Sequence, residues 1–367
     1  MDRGAVSAPR TWSTRVATGG PARERLLELA DYVDARSTAY CTRAAWLCAA
    51  AAHLPGEAVA LTIGTADRSV AGLAALTRSR RRGVWHIELL GGPFNDYGQL
   101  HHDEDTGDAL AAALVDWVER EHAAWSLDLA QLPGESPVVA GLLRRLGRVR
   151  LEPGAPIPQI LGIGTDYVVS RNRRRKANNA LNRIAADGRR AEQLAVREPA
   201  EVARWLPRVV DVRRRRDHAC GRRSHLDDPA ARGFYETNVS DLAAAGALTL
   251  DLLLVDGEIA GYGMVVEEPG VHRVFDGRVA DGLEHYRGAV VCDLAATARA
   301  SADPGVTTFD WLRGRTDGKF GNHEVHRVHL LASSGAAVDR LDRWERSARD
   351  RLKAALPAGV LQRIAER

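Results

Sequence analysis

Hydrophobic and polar positions along the chain fall into two successions of the same kind. The run VALTIGTADRS leads into SVAGLAAL at 69–76, and its apolar alternation about a polar turn predicts a hairpin. The run LDLLLVDGE leads into EIAGYGMV at 258–265, 189 positions later, and Asp256-Gly257 is a strong hairpin turn signal. A third strand is predicted in each half, VWHIELLGG at 84–92 and VHRVFDGRV at 271–279. Each is followed by a stretch of helical period, ALAAALVDWVEREH at 109–122 and AVVCDLAATARA at 289–300. A further strand with Asp at the same place closes each succession: WSLDL with Asp128 and TTFDW with Asp310. Strand, strand, strand, helix, strand occurs twice, so the chain reads as an internal duplication.

Helices are predicted at 21–35, 40–52, 170–187 and 199–216, ahead of the strands of each half. The stretch LEPGAPIPQI at 151–160 reads as a linker, because its three prolines oppose both a helix and a central strand. Five segments follow: an extension at 1–24, a first domain at 25–150, a linker at 151–165, a second domain at 166–335 and a C-terminal helix at 336–367. Trp46 and Trp205 are expected to be core anchors.

A length of 367 residues suits roughly two domains. No apolar run is long enough for a membrane span, and no secretory signal follows Met1; a cytoplasmic protein is expected. Cys41, Cys48, Cys220 and Cys292 contain no C-x-x-C pair, which argues against a disulfide framework or a zinc site. In HEVHRVH, His323 and His326 are three apart, and EVHRVHLLAS reads as a strand that sends His326 and His329 to opposite faces, so no metal is expected.

The net charge of +3 conceals an imbalance, since residues 171–223 hold 17 Arg and Lys against 6 Asp and Glu. That segment is at +11 and the remainder at −8, a distribution that attracts anions. Within it, Ser170 and Gly188 bound a helix. Its apolar stripe is Ala177, Leu181 and Ile184, and a second stripe presents Arg171, Arg174, Asn178 and Asn182. No helix-turn-helix, RNA-recognition or zinc pattern accompanies it, so DNA is not an expected partner. Arg forks on that face suit phosphates or carboxylates.

This element order resembles the GNAT acyltransferase fold, and in particular the tandem-GNAT group that includes cellulose-biosynthesis-type acetyltransferases and, more distantly, Fem-type aminoacyltransferases. The resemblance spans about residues 25–335. Its carriers are TRAAWLCA at 42–49, RNRRRKANNALNRIAADG, EIAGYGMVV, and FDWLRGRTDGKFGNHE at 309–324, which supplies Asp310, Gly314 and Lys319. It implies an α/β (α+β) architecture of two tandem GNAT-like domains, each a mixed, mainly antiparallel sheet flanked by helices.

The family's donor is acyl-CoA, with acetyl-CoA the leading expectation and no metal required. The resemblance places Tyr286, Arg287, Gly288 and Ala289 at the donor turn, where a helix N-terminus meets a pyrophosphate. The matching turn of the first half, HHDEDTGD at 101–108, is acidic and would repel one, so the second half alone is expected to bind the donor. Asp276 and Asp310 are candidates to take the amine proton, Lys319 is the signature lysine, and Tyr286 could protonate the leaving thiolate. Asn95, Asp96, Tyr97, Arg171, Arg174, Arg175 and Arg313 are candidates for acceptor binding. The implied reaction is acyl transfer to the amino group of a small polar metabolite in a cleft between the domains. The alternative is a Fem-like transferase that uses aminoacyl-tRNA, with tRNA as partner.

Overall fold

The computed structural model describes residues 11–165, 167–313 and 320–355. The chain divides into two compact units, Met1–Gly154 with Arg327–Glu345, and Ala155–His326 with the residues after 345.

The first unit begins with β1 (Ser13–Thr18), α1 (Gly20–Glu28), α2 (Ala30–Asp34) and α3 (Ala44–His53). There follow β2 (Glu57–Gly64), β3 (Gly72–Arg81), β4 (Val84–Leu89), β5 (His101–His102), α4 (Gly107–Glu121), β6 (Trp125–Leu132), α5 (Pro137–Arg145) and β7 (Val149–Pro153). The second unit holds β8 (Ile157–Leu161), α6 (Arg171–Ala186), β9 (Ala191–Val196), α7 (Pro199–Ala219), α8 (Pro229–Ala244), β10 (Leu248–Val255), β11 (Glu258–Glu268), β12 (Val271–Val279), α9 (Gly288–Ala302), β13 (Thr308–Asp310) and β14 (His323–Val325). The chain ends with β15 (Val328–Ser333) and α10 (Ala336–Ala355).

Each unit is built on one mixed sheet flanked by helices. The first has the order β1-β2-β3-β4-β6-β15-β7, with β5 beside β3, and the second has β14-β8-β13-β12-β11-β10-β9. The predicted duplication is present: β2, β3, β4, α4 and β6 correspond to β10, β11, β12, α9 and β13. In both, the hairpins are antiparallel and the strand after the helix pairs in parallel with the strand before it. A strand–helix–strand crossover accounts for that parallel pair. In the first unit α4 buries Leu110, Ala111, Leu114 and Val118 against β2, β3 and α5, while α9 lays Val291, Cys292 and Ala296 on β11.

Four segments differ from the sequence reading. Residues 13–18 form β1 against Val59–Gly64 of β2, where the sequence suggests an extension over 1–24. The proline-rich linker supplies β7 and β8, and β8 lies between β13 and β14. Pro158 is tolerated there because it still has an acceptor, and its carbonyl takes the Trp311 N–H at 3.1 Å. The helix predicted at 21–35 is broken at Leu29 into α1 and α2. The run EVHRVHLLAS is two strands: β14 pairs with β8, and β15 inserts between β6 and β7. The domain read as ending at 335 therefore gives up 327–335, because backbone pairing ties β15 to the first sheet. No helix among the described residues is long and apolar enough to cross a membrane.

Candidate active site

In the second unit, β12 and β13 pair only over Val271↔Thr308, His272↔Phe309 and Arg273↔Asp310. β12 continues to Val279, so Val274–Val279 has no strand partner on that side among the described residues. The two parallel strands thus open into a wedge, along which this part of β12 has no neighbouring strand among the described residues. A β-bulge sits in the same stretch. Met264 faces Asp276 and Val265 faces Val274, which leaves Phe275 as the extra residue. The Phe275 ring stacks on Tyr235 of α8 at 5.7 Å.

Past the wedge the chain makes a short turn and enters α9. Arg287, the N-cap, is in the left-handed region at φ 49°, no side chain caps the helix, and its first turn holds no acidic residue. Gly288 is packed against β11: a Cβ there would lie 2.6 Å from the Gly261 nitrogen and 2.7 Å from the Ala260 carbonyl. Tyr286 is buried, and its hydroxyl donates to Asp187 Oδ2 at 2.9 Å. It ties the turn to the end of α6 and is not presented as an acid, contrary to its expected role. Arg183 of α6 reaches the same turn, donating to the His285 carbonyl at 3.1 Å.

The two carboxylates expected to act as bases are both enclosed. Asp276 Oδ2 accepts from Arg213 Nη1 at 2.6 Å and from the Tyr235 and Tyr262 hydroxyls at 2.9 Å each, while Oδ1 accepts from Arg278 Nη1 at 3.2 Å. Burial alone would raise its pKa. The Arg213 and Arg278 guanidiniums outweigh that effect, with help from the tyrosines, and hold it at about 2. A carboxylate that weakly basic is an anchor for cations rather than a proton acceptor. Asp310 has no exposed surface. It accepts from Gln159 Nε2 at 3.0 Å and from the Leu312 N–H at 2.8 Å, holding Leu312 at φ 53°. Both departures have one cause: periodicity placed the carboxylates near the wedge but could not show that other elements surround them.

On α6, Arg171, Arg174 and Arg175 are exposed. Arg173 turns inward over the Phe320 ring, and desolvation lowers its pKa. At a rise of about 1.5 Å per residue, Arg171–Arg175 stand roughly 12–18 Å along the helix from Arg183, so they are not gathered at the α9 turn. Arg313 is half-buried. Gly314 and Lys319 lie outside the described residues. A cavity of about 200 Å³ lies between α7, the start of β11 and the residues after β12, lined among others by Arg208, Asp211, Arg215, Glu258 and Asp281. Its arginines pair internally, Arg208 with the Gly257 carbonyl and Arg215 with Asp211.

The corresponding places in the first unit are closed. β4 stops at Leu89, and beyond its pairing with β6 the Gly98 N–H donates to the Gln131 carbonyl at 2.8 Å. A Cβ on Gly98 would lie 2.1 Å from the Ala130 carbonyl, so the loop fills the gap. The first turn of α4 carries Asp108, which pairs with Arg144 and Arg145. Pro137 sits against Gly107, 2.7 Å from where a Cβ would be. Asn95 is buried, accepting from Trp46 Nε1 at 2.7 Å and donating to the Leu90 carbonyl at 2.9 Å. Tyr97 is buried under Arg327, and Asp96 accepts from the Tyr40 hydroxyl at 3.2 Å. Asn95 and Tyr97 build the loop instead of facing a ligand, because a loop that fills a gap turns its polar groups inward.

The family model described as Acetyltransferase (GNAT) domain matches residues 171–319, the stretch that holds the wedge and α9. Over that stretch the second unit is similar to GNAT acetyltransferase domains. Among solved structures, the chain is similar to the C-terminal DUF2156 domain of an Agrobacterium fabrum protein named for lysylphosphatidylglycerol synthetase. The identity is 11%, with 89% of this chain and 96% of that one covered, at a TM-score of 0.54. It is also similar to a tandem GNAT protein from the clavulanic acid biosynthesis pathway (13% identity, 89% and 99% covered, TM-score 0.47) and to FemX (10%, 74% and 87%, 0.47). The first of these shows a shared fold across the GNAT domain and the unit preceding it. Comparison with curated proteins finds no significant match.

Sequence reasoning missed Arg213, Arg278, Tyr235 and Tyr262. The one signal for them was the spacing of Asp276 and Arg278, two apart in a strand and so on one face. Arg213 was hidden in a run of four arginines, and α8, which carries Tyr235, was not predicted.

Proposed function

We propose that the GNAT domain transfers an acyl group, in the first instance acetyl, from acyl-CoA to the amino group of a small polar acceptor. The observation that carries this reading is the wedge between β12 and β13 followed directly by the uncapped N-terminus of α9. The edge at Val274–Val279, which lacks a neighbouring strand among the described residues, suits the amide groups of a pantetheine arm. The first-turn N–H groups at Gly288 and Ala289, with the positive end of the helix dipole and Arg287 beside them, suit its pyrophosphate. The donor supplies the activated thioester. The chain's own residues bind and orient it, and the amine proton leaves through water, since Asp276 and Asp310 are committed elsewhere. The closed gap and the acidic helix start of the first unit support a single donor site in the second.

Calorimetric titration with acetyl-CoA tests this: micromolar binding is expected, and the absence of binding overturns it. The exposed row Arg171, Arg174, Arg175 and Lys176 on α6 favours a second reading, transfer from an aminoacyl-tRNA. Retention of tRNA on a filter without acetyl-CoA binding would establish that reading instead.

A further inference from the structure

We infer that Arg278, positioned by Asp276, binds an anionic group of the acceptor, so that the acceptor is an amine that also bears a carboxylate or a phosphate. The inference rests on the acyltransferase reading for the word acceptor, and on geometry for the anion.

Arg278 lies in the stretch of β12 beyond its pairing with β13, on the same face as Asp276 and just past the bulge. Its Nη1 is occupied by Asp276 Oδ1 at 3.2 Å and by the Gly277 carbonyl at 2.7 Å. Its Nη2 takes no partner among the described residues, and the side chain is 34% exposed where that of Asp276 is 3% exposed. The cluster therefore turns its negative charge inward and one of its positive charges outward. Arg213 already balances the single charge of Asp276, since it bonds the carboxylate at 2.6 Å and is itself nearly buried. Arg278 is the second cation on one carboxylate.

Two further titratable groups, Asp217 and His225, interact with it electrostatically. Asp217 of α7 is 3.8 Å from Arg278 Nε and accepts from the Ser224 hydroxyl at 2.9 Å. His225 accepts from Arg213 Nη2 through Nε2 at 3.0 Å, which requires that nitrogen to be unprotonated. Desolvation and then Arg213 push the His225 pKa to about 4, so the imidazole is neutral and adds no charge near neutral pH. A guanidinium fixed on one edge and open on the other is organised for a carboxylate or phosphate oxygen at little further entropic cost. Because Arg278 belongs to the stretch of β12 that lines the wedge, where the thioester would lie, an anion held there would leave an amine on the same small molecule near the acyl carbon.

The test uses the whole wild-type chain. Modification of individual arginines by phenylglyoxal is followed by peptide mass spectrometry, with inorganic phosphate in one arm and acetate in the other. At least one anion is expected to slow labelling of Arg278 fivefold or more while labelling of Arg171 is unchanged; phosphate alone identifies a phosphorylated acceptor, acetate alone a carboxylic one. Unchanged Arg278 labelling in both arms overturns the proposal. In parallel, Arg278→Gln is expected to leave acetyl-CoA affinity within twofold of wild type, and loss of donor binding would assign Arg278 to the donor and overturn the proposal. If the wild type binds no acetyl-CoA, the acyltransferase reading fails on its own, and the labelling still decides the anion site.

Discussion

Gly261 and Gly288 meet backbone to backbone. A Cβ added to Gly261 would stand 2.4 Å from the Gly288 carbonyl carbon, and one added to Gly288 would stand 2.6 Å from the Gly261 nitrogen. The contact fixes the start of α9 on β11. The same strand admits the helix again at Gly263, where a Cβ would meet Cys292 at 3.4 Å. Each of Gly261→Ala and Gly288→Ala is expected to lose about 1–3 kcal/mol in urea unfolding, since backbone on both sides cannot yield as a side chain would. Both should weaken acyl-CoA binding as the turn is displaced.

A charge at Gly288 would therefore report on packing as much as on electrostatics, and Ala289 separates the two. It is half-buried in the first turn of α9, where a carboxylate favours the helix dipole by about 0.3–1 kcal/mol. Ala289→Asp is expected to keep or slightly raise the unfolding midpoint while abolishing acetyl-CoA binding. A variant that is stable and still binds with wild-type affinity would exclude the α9 turn as the pyrophosphate site.

Asp276 gives the acid dependence of stability a definite sign. Its folded pKa of about 2 lies below the ordinary 3.8, so the stabilisation it provides is complete above about pH 5 and is lost as pH falls toward 2. The shift corresponds to about 2 kcal/mol. Asp276→Asn is expected to cost 3 kcal/mol or more at pH 7, roughly the cost of stranding a buried charge, and the gap from wild type should narrow between pH 4 and pH 2. Because Asp276 stays ionised through the working range, kcat/KM of the wild type should show no inflection assignable to this carboxylate.

Arg171, Arg174 and Arg175 are exposed on the opening turns of α6. Replacing all three with Gln is expected to change stability by less than about 0.5 kcal/mol and to leave acetyl-CoA affinity unchanged, as read by calorimetry. If tRNA is the donor instead, the triple variant loses RNA binding, and wild-type binding falls steeply with salt through counterion release.

The duplication, the hairpins with their turns, the parallel crossover and the glycines at the start of α9 follow from periodicity and from Gly and Asp-Gly chemistry, which are local properties of the chain. So does the contrast between an acidic helix start in one half and a basic turn in the other. What local pattern could not supply was who surrounds whom. Asn95, Tyr97, Asp276 and Asp310 are polar residues in the expected segments, yet each is enclosed by partners from distant parts of the sequence, such as Trp46 for Asn95 and Arg213 for Asp276. β15 leaves the run that contains β14 and joins the first sheet, because the hydrogen bonds offered by β6 and β7 outweigh continuity of the strand pattern. Only the tertiary structure decided that Arg278, rather than the arginines of α6, stands open beside the wedge, since the direction of a side chain is set by the register of its strand and by the bulge at Phe275.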